Sequence, residues 1–406
     1  MKVLSIIAEY NPFHYGHLYH LNEAKKSVNP DITVCILASN FLQRGEPSIV
    51  DKWSRTKMAL HAGIDLVIEL PVAFSCRSAF YYATGAVTSL VKSGVVTHLS
   101  FGTEANNLLQ LQKIAQVINN EDALYKSVLH DFLGAGFSYP KARILTLEKV
   151  LDLKNDDLRE LDNPNNILAL AYLQVLDILK NDITPVGILR KGDYHSLDPN
   201  HGFASASAIR KLIKNNDPNW KNHVPSFTRE ILENDFKDGK GPLFLDNLEQ
   251  NIIAIIRRTN PLELQKIIEI NEGLENRIYQ SAQKHSSIKE LLTELKTKRY
   301  TYTKIQRSLT HIYLNYEKSL DLKEPKYLRI LGFNSKGQSL LKHMKSSSEL
   351  PLINRFSNAF KIVDSTGKKI LDLEARASDL YSLALPNPNQ RYGKQDYYNS
   401  PIKYLI

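Results

Sequence analysis

Along the first two hundred residues, short apolar runs rich in β-branched residues alternate with stretches of amphipathic, helix-like periodicity. Val3–Ala8, Ile32–Ala38, Leu66–Glu69, Thr97–Phe101 and Val186–Leu189 read as buried strands bounded by turn residues. Strands alternating with helices predict an α/β fold built on a parallel sheet. Ligands of such sheets sit beyond the carboxyl ends of the strands. Four polar segments meet that condition: Glu9–His17, Ser39–Glu46, Gly102–Glu104 and Arg190–His195. Beyond about residue 220 the strand pattern fades, and helical periodicity takes over around Leu248–Arg258 and Pro261–Gln280. Pro218–Gly241 carries Pro, Asn, Asp and Gly with less regular spacing, which places a linker or boundary nearby. The expected organisation is an α/β domain over 1–220 and a mostly α-helical region over 221–406.

Length and composition agree with more than one core, since the chain has 406 residues and is 43% apolar. A formal net charge of +9 favours polyanionic partners if the bases cluster, although composition alone does not separate tRNA, DNA and an anionic membrane. Two cysteines, Cys35 and Cys76, exclude a disulfide framework and a thiolate zinc site. The first residues show neither a basic n-region nor a small-residue cleavage site. No run approaches the ~20 apolar residues of a membrane helix. A cytoplasmic, membrane-independent protein is the expectation.

The densest chemistry follows the first strand, in Glu9-Tyr10-Asn11-Pro12-Phe13-His14-Tyr15-Gly16-His17. Two histidines flanking a glycine, where a strand gives way to a helix, suit a nucleotide-phosphate cradle. Glycine admits close backbone approach, and a helix N-terminus offers free N–H groups and a positive dipole end. Imidazoles can donate hydrogen bonds to oxygens that gain charge as pyrophosphate leaves. Taken alone, the four-residue pattern is also compatible with an ordinary helix start; a zinc site lacks a third ligand at a recognisable spacing. Downstream, Phe203-Ala204-Ser205-Ala206-Ser207-Ala208-Ile209-Arg210 sets two hydroxyls and an arginine at another helix start. Ser205 or Ser207 can cap that helix while Arg210 makes a charge-assisted phosphate contact.

Together these two elements resemble the paired signatures of the HIGH-type nucleotidyltransferase superfamily, whose second signature is commonly Ser-Ser-Thr-x-x-Arg. Ala206 lacks a hydroxyl expected there, whereas Ser207 keeps one. Within the superfamily, Glu9–His20, Asn40–Pro47, Asp51–Ala59, Phe101–Glu104, Pro164–Leu168 and Thr297–Thr301 resemble the bacterial tRNA(Met) cytidine acetate ligases. The resemblance implies a Rossmann-like nucleotidyltransferase domain. It further implies a ligase that activates acetate with ATP as acetyl adenylate and acetylates N4 of the wobble cytidine of elongator tRNA(Met). His14, His17 and Arg210 become the expected catalytic residues. Nucleotide contacts are expected from Ile7, Ala8, Glu9, Tyr10, Asn11, Pro12, Phe13, Gly16, Tyr19, His20, Gly102, Ser205 and Ser207, with Arg190 and Lys191 offsetting triphosphate charge. Asn165 or Asn166 either reads the adenine or ribose or caps the following helix. Magnesium is expected with ATP, but no carboxylate cluster marks a protein site for it.

For RNA, the stretch between Glu294 and Glu317 contains Lys296, Lys298, Arg299, Lys304 and Arg307, no acid, and Tyr300, Tyr302, Tyr313 and Tyr316 between them. Bases neutralise phosphates and aromatic faces stack unpaired bases. Two rival readings remain: a small-molecule adenylyltransferase, which would not need so large a basic helical region, and a non-enzymatic RNA-binding protein, which would leave the phosphate cradle without a purpose.

Overall fold

The computed structural model of the chain describes residues 1–104, 107–137, 139–152, 163–190, 203–297, 299–320 and 322–405. Its centre is one sheet formed by β1 (Val3–Ala8), β2 (Ile32–Ala38), β3 (Leu66–Leu70), β4 (His98–Thr103), β5 (Thr184–Leu189), β6 (Leu328–Asn334), β7 (Leu352–Ile353) and β8 (Ile402–Tyr404). The order is β5-β4-β1-β2-β3-β6-β7, with β8 also paired to β6. β1 to β5 run parallel. Such strands are covered on both faces and so read as continuous apolar runs. β2 shows the consequence: Val34 and Ile36 enter one buried cluster while Cys35 and Leu37 enter another. That is the period-two alternation of a strand with a core on each side.

Successive strands step from β1 through β2 to β3, after which the chain returns to the other side of β1 to form β4 and β5. The strand order therefore reverses between β1 and β4. Their carboxyl ends diverge into a crevice, the usual ligand position of a doubly wound sheet.

The second region is mostly helical, but it also extends the sheet. β6 pairs antiparallel with β3, placing Phe333 opposite Leu66 and Ile330 opposite Ile68. Helical periodicity beyond residue 220 did not predict this strand, because its apolar run carries a charged residue, Arg329, at a fully buried position. The stretch expected to be a linker contains the helix Ser226–Lys237, whose Leu232 is fully buried. The Pro261–Gln280 periodicity divides into helices Pro261–Leu264 and Leu274–Lys284. Between them Glu269, Glu272 and Gly273 adopt φ of 62°, 61° and 85°, and no α-helix passes through the left-handed region.

Candidate active site

At the end of β1 the chain turns sharply. Tyr10 holds a φ of 48°, which is rare for an aromatic residue, and its buried ring meets Phe13 and His17 at centroid distances of 4.7 and 5.0 Å. This turn delivers His14 to the N-cap of the helix Tyr15–Val28. His14 Nδ1 accepts from the Gly16 N–H at 3.0 Å, and His17 Nδ1 accepts from the His14 N–H at 3.3 Å. The two rings stack 3.7 Å apart. A Cβ on Gly16 would lie 2.8 Å from His14 Cε1, so the ring stack itself requires glycine there.

Burial lowers the His14 pKa to about 3, with the positive charges of Arg190 and Arg210 adding to the effect. Burial also drives His17 well below its usual value, helped by His14, and lowers His20 to about 4. His14 and His17 are therefore neutral at physiological pH. Because Nδ1 of each is an acceptor, each carries its proton on Nε2 and offers one donor. His20 Nε2 is 2.9 Å from Ser100 Oγ on β4, which ties the helix to the neighbouring strand.

The second predicted element faces the first. Ser205 caps the helix Ala206–Lys214 by accepting from the Ala208 N–H at 3.2 Å. Arg210 Nη1 donates to the Asn11 carbonyl at 2.9 Å, and Nη2 pairs with Glu46 Oε1 at 2.6 Å. Ser207 Oγ lies 3.5 Å from Arg210 Nη2. A guanidinium thus joins the β1 turn, the 39–47 loop and the Ser205 helix, residues far apart in sequence.

These residues surround a cleft of about 630 Å³ over the β1–β4 reversal. Of the residues expected to contact nucleotide, Ile7, Ala8, Glu9, Tyr10, His14, Gly16, His17, Tyr19, His20, Gly102, Asn165, Arg190, Ser205 and Ser207 line it, as does Arg210. Asn11, Pro12 and Phe13 do not. Asn11 and Phe13 are buried beneath the turn, where Asn11 Oδ1 accepts from the Ile49 N–H at 2.8 Å. Lys191 lies outside the described residues. A Cβ on Gly102 would meet nothing within 4 Å, so that position opens directly onto the cleft.

Asn165 and Asn166 separate cleanly. The N-cap of the helix Pro164–Leu179 is Asn163, so neither caps it. Asn166 is fully buried and its Oδ1 accepts from Thr103 Oγ1 and the Glu104 N–H, both at 2.9 Å, holding the end of β4. Asn165 faces the cleft and donates to Glu104 Oε1 at 2.6 Å.

The other half of the cleft contains residues that local pattern did not mark, among them Ser78, Tyr82, Tyr172 and Thr303, together with Arg307, which the pattern assigned to RNA. Gln43, Arg44 and Glu46 join them from the 39–47 loop. That loop rests on the helix Tyr302–Leu314: Thr310 Oγ1 donates to the Gly45 carbonyl at 2.8 Å, and a Cβ on Gly45 would come within 2.5 Å of the Arg307 backbone. Beneath it the fully buried Arg55 donates to the carbonyls of Glu9, Ala38 and Ser39 at 2.8, 2.8 and 2.7 Å. Arg55 thereby ties together the ends of β1 and β2. Nothing in its helical spacing signalled that role.

Of the expected RNA-facing residues, Lys296 and Arg299 are exposed and Lys304 half-buried. Lys298 lies outside the described residues. Arg299 pairs with Glu272 at 2.6 Å, and Tyr300 is buried with its hydroxyl donating to the Glu272 carbonyl at 2.8 Å. Arg307 is only 8% exposed and pairs with Glu269 at 2.9 Å on the cleft wall. Tyr313 and Tyr316 are core residues, which leaves Tyr302 as the exposed ring of the stretch. The basic segment therefore borders the cleft at the N-terminus of the helix Tyr302–Leu314.

Residues 1–396 match the family model described as HIGH Nucleotidyl Transferase. Similar curated proteins include the tRNA(Met) cytidine acetate ligase of Thermoanaerobacter sp. (strain X514), 42% identical over 95% of this chain and 96% of the relative. The ligase of Fervidobacterium nodosum is 38% identical over the full length of both. The chain belongs to the tRNA(Met) cytidine acetate ligase family of HIGH nucleotidyltransferases. A crystal structure of Thermotoga maritima TmcAL bound with alpha-thio ATP covers both chains completely, with a TM-score of 0.94 at 34% identity. The apo form of the same protein gives 0.95. A family member is thus known with an ATP analogue, on a fold that this chain shares throughout. Among the described residues no helix is long and apolar enough to cross a membrane, and no group of three or more His, Cys, Asp or Glu side chains is gathered to hold a metal ion.

Proposed function

We propose that the protein is an ATP-dependent tRNA(Met) cytidine acetate ligase. The observation that carries the reading is the single cleft in which His14, Gly16 and His17 from one helix start face Ser205, Ser207 and Arg210 from another. In the first step an acetate oxygen attacks the α-phosphorus of ATP. The bond to the bridging oxygen breaks and pyrophosphate leaves with the electron pair. Neutral imidazoles carrying Nε2–H supply donors for the charge that develops on the phosphate oxygens, and Arg210 and Arg190 supply positive charge. Magnesium, carried on the ATP phosphates, would offset their charge. In the second step N4 of the wobble cytidine of elongator tRNA(Met) attacks the acetyl carbon, releasing AMP and leaving N4-acetylcytidine. Lys296, Arg299 and Lys304 beside the cleft mouth contact tRNA phosphates, with Lys298 of the same basic stretch as a further expected contact, while Arg307 acts from inside the cleft wall. A tRNA substrate puts the enzyme in the cytoplasm.

Exchange of labelled pyrophosphate into ATP tests the first step. We expect exchange that depends on acetate, and N4-acetylcytidine in tRNA(Met) when tRNA is added. Exchange driven by another acceptor without acetate would favour a small-molecule adenylyltransferase. Tight RNA binding with no exchange under any condition would leave only a non-catalytic RNA-binding protein.

A further inference from the structure

We propose that Glu9 is the general base of the acetyl-transfer step, its carboxylate taking the proton that the acceptor amine loses; this inference rests on the ligase reading above. The amine nitrogen forms a bond to the acetyl carbon, the bond from that carbon to the phosphate oxygen breaks, and AMP leaves with the electron pair. One proton must leave the nitrogen in the same step. An exocyclic amine conjugated to a pyrimidine ring is a weak nucleophile, so a group positioned to accept that proton accelerates its attack.

Glu9 stands at the hinge of the cleft's two halves. It follows β1 directly, one residue from the turn that sets up the His14–His17 cradle, and its wall continues into the half lined by Gln43, Tyr82, Tyr172 and Arg307. That second half adjoins the basic segment at the start of the helix Tyr302–Leu314, the side from which a tRNA nucleotide would enter. Glu9 Oε1 is anchored by the Gln43 N–H at 2.8 Å. Its other oxygen takes no hydrogen bond from the described residues, and a lone pair is left for a ligand.

The remaining titratable groups that line the cleft are poorly suited. His14 and His17 already use Nδ1 as an acceptor and resist protonation through burial, and His20 is lowered to about 4. Burial raises the Tyr82 and Tyr172 pKa values, which keeps both hydroxyls protonated. Glu46 is committed to Arg210. Burial raises the Glu9 pKa, and Glu46 adds to this, while the Gln43 N–H, Arg210 and Arg44 oppose it. A carboxylate whose pKa is raised is a better proton acceptor than one at its usual value.

The test uses the full-length enzyme loaded with labelled acetyl adenylate and mixed with tRNA(Met) in single turnover from pH 5 to 8, for wild type, Glu9→Gln and Glu9→Asp. Pyrophosphate exchange measures the first step in parallel. Gln keeps an oxygen to accept from the Gln43 N–H, and a thermal midpoint for each variant reports folding. The wild-type transfer rate should rise with pH as the Glu9 carboxyl ionises and then level off. The charged groups facing it are Glu46 and Arg44 from the loop, Arg210 from the Ser205 helix and Arg55 below. Tyr82 and Tyr172 face it from the helices Ala79–Lys92 and Pro164–Leu179. Glu9→Gln should slow transfer by roughly 10²- to 10⁴-fold, erase the acid limb and let acetyl adenylate accumulate, with part of the rate restored in Glu9→Asp. Equal losses in both steps, or an unchanged acid limb in a folded Glu9→Gln, overturn the inference alone. If wild type makes no acetyl adenylate, the acetate reading falls and this inference falls with it.

Discussion

Two of the sites at which this protein buries ionisable side chains treat charge in opposite ways. Near the carboxyl end of β3, Lys52 reaches Glu69, Glu374 and Asp396 at 2.5, 2.9 and 2.8 Å, and Arg329 reaches Glu69 and Asp396 at 3.2 and 2.9 Å. All five side chains are buried. They come from the helix Lys52–His61, β3, β6, the helix Ser365–Leu383 and the short helix Gln395–Tyr398. In the cleft, by contrast, His14, His17 and His20 have no carboxylate partner among the described residues, and burial keeps them neutral. Where two cations face three carboxylates the fold retains ions, with Glu69 as the carboxylate that burial raises; where burial and neighbouring positive charges act on a base, it retains the neutral form. The ion cluster joins the two regions of the chain, and the neutral imidazoles keep donors ready for a ligand that brings its own negative charge.

The comparison breaks most sharply at Lys52. Lys52→Met would leave three buried carboxylates sharing one guanidinium, and removing one partner of a buried ion pair typically costs about 3–5 kcal/mol. Chemical denaturation should show that loss, with β6 and the Ser365–Leu383 helix losing amide-exchange protection first. A midpoint within error of wild type would mean that the cluster does not join the two regions.

In the cleft the corresponding change should be catalytic. His14→Ala or His17→Ala should lower acetate-dependent pyrophosphate exchange by about 10²- to 10³-fold, the usual cost of removing one preorganised donor to developing charge. The unfolding midpoint should change far less than in Lys52→Met. Near-normal exchange in both variants would remove the imidazoles from the chemistry.

A smaller effect is expected outside the cleft. Replacing Lys296, Arg299 and Lys304 with alanine should weaken tRNA(Met) binding and flatten its logarithmic salt dependence by roughly 0.7 to 0.9 per lost phosphate contact. Acetyl-adenylate formation without tRNA should survive, since Arg307 and Thr303 remain in the cleft wall. An unchanged salt slope would make these bases a solvated face.

The smallest effect sharpens the contrast through pH. His14 and His20 have folded pKa values of about 3 and 4 against an ordinary 6.5, so the unfolded chain binds more protons between those limits. Their contribution is complete above 6.5 and is lost as pH falls toward the folded values. Glu69 is shifted upward by burial from 4.5, with Glu374 and Asp396 adding to it, so the folded chain holds the extra proton. Its contribution is complete below 4.5 and is lost as pH rises through the folded pKa. The two slopes oppose each other in wild type. Between pH 5 and 6.5, Glu69→Gln should leave a steeper rise of stability with pH, measured by denaturant midpoints at each pH, and an unchanged slope would show that the cluster takes up no proton there.

Local pattern carried much of this protein. The five parallel strands were legible to within about two residues at each end, because a buried strand of four to eight apolar residues bounded by turn residues is a short-range signal. The His14–His17 element was legible for a related reason: its backbone-to-ring hydrogen bonds span two and three residues. Ser205 and its cap are equally local.

What the sequence could not disclose was every relation between distant segments. β6 is an apolar run with a charge at its centre, and only pairing with β3 puts Arg329 against Glu69, 260 residues away in sequence. Arg307 read as part of a basic surface segment. The docking of its helix against Gly45 and Glu269 buried it and turned it to the cleft. Asn165 and Asn166 are adjacent and chemically identical, yet only the position of β4 gives one to the cleft and the other to the core. Periodicity and turn chemistry act over one or two turns of chain and so determine elements and caps. The partners of a buried charge, and the direction in which a side chain faces a ligand, depend on which elements meet, and that is decided by tertiary packing.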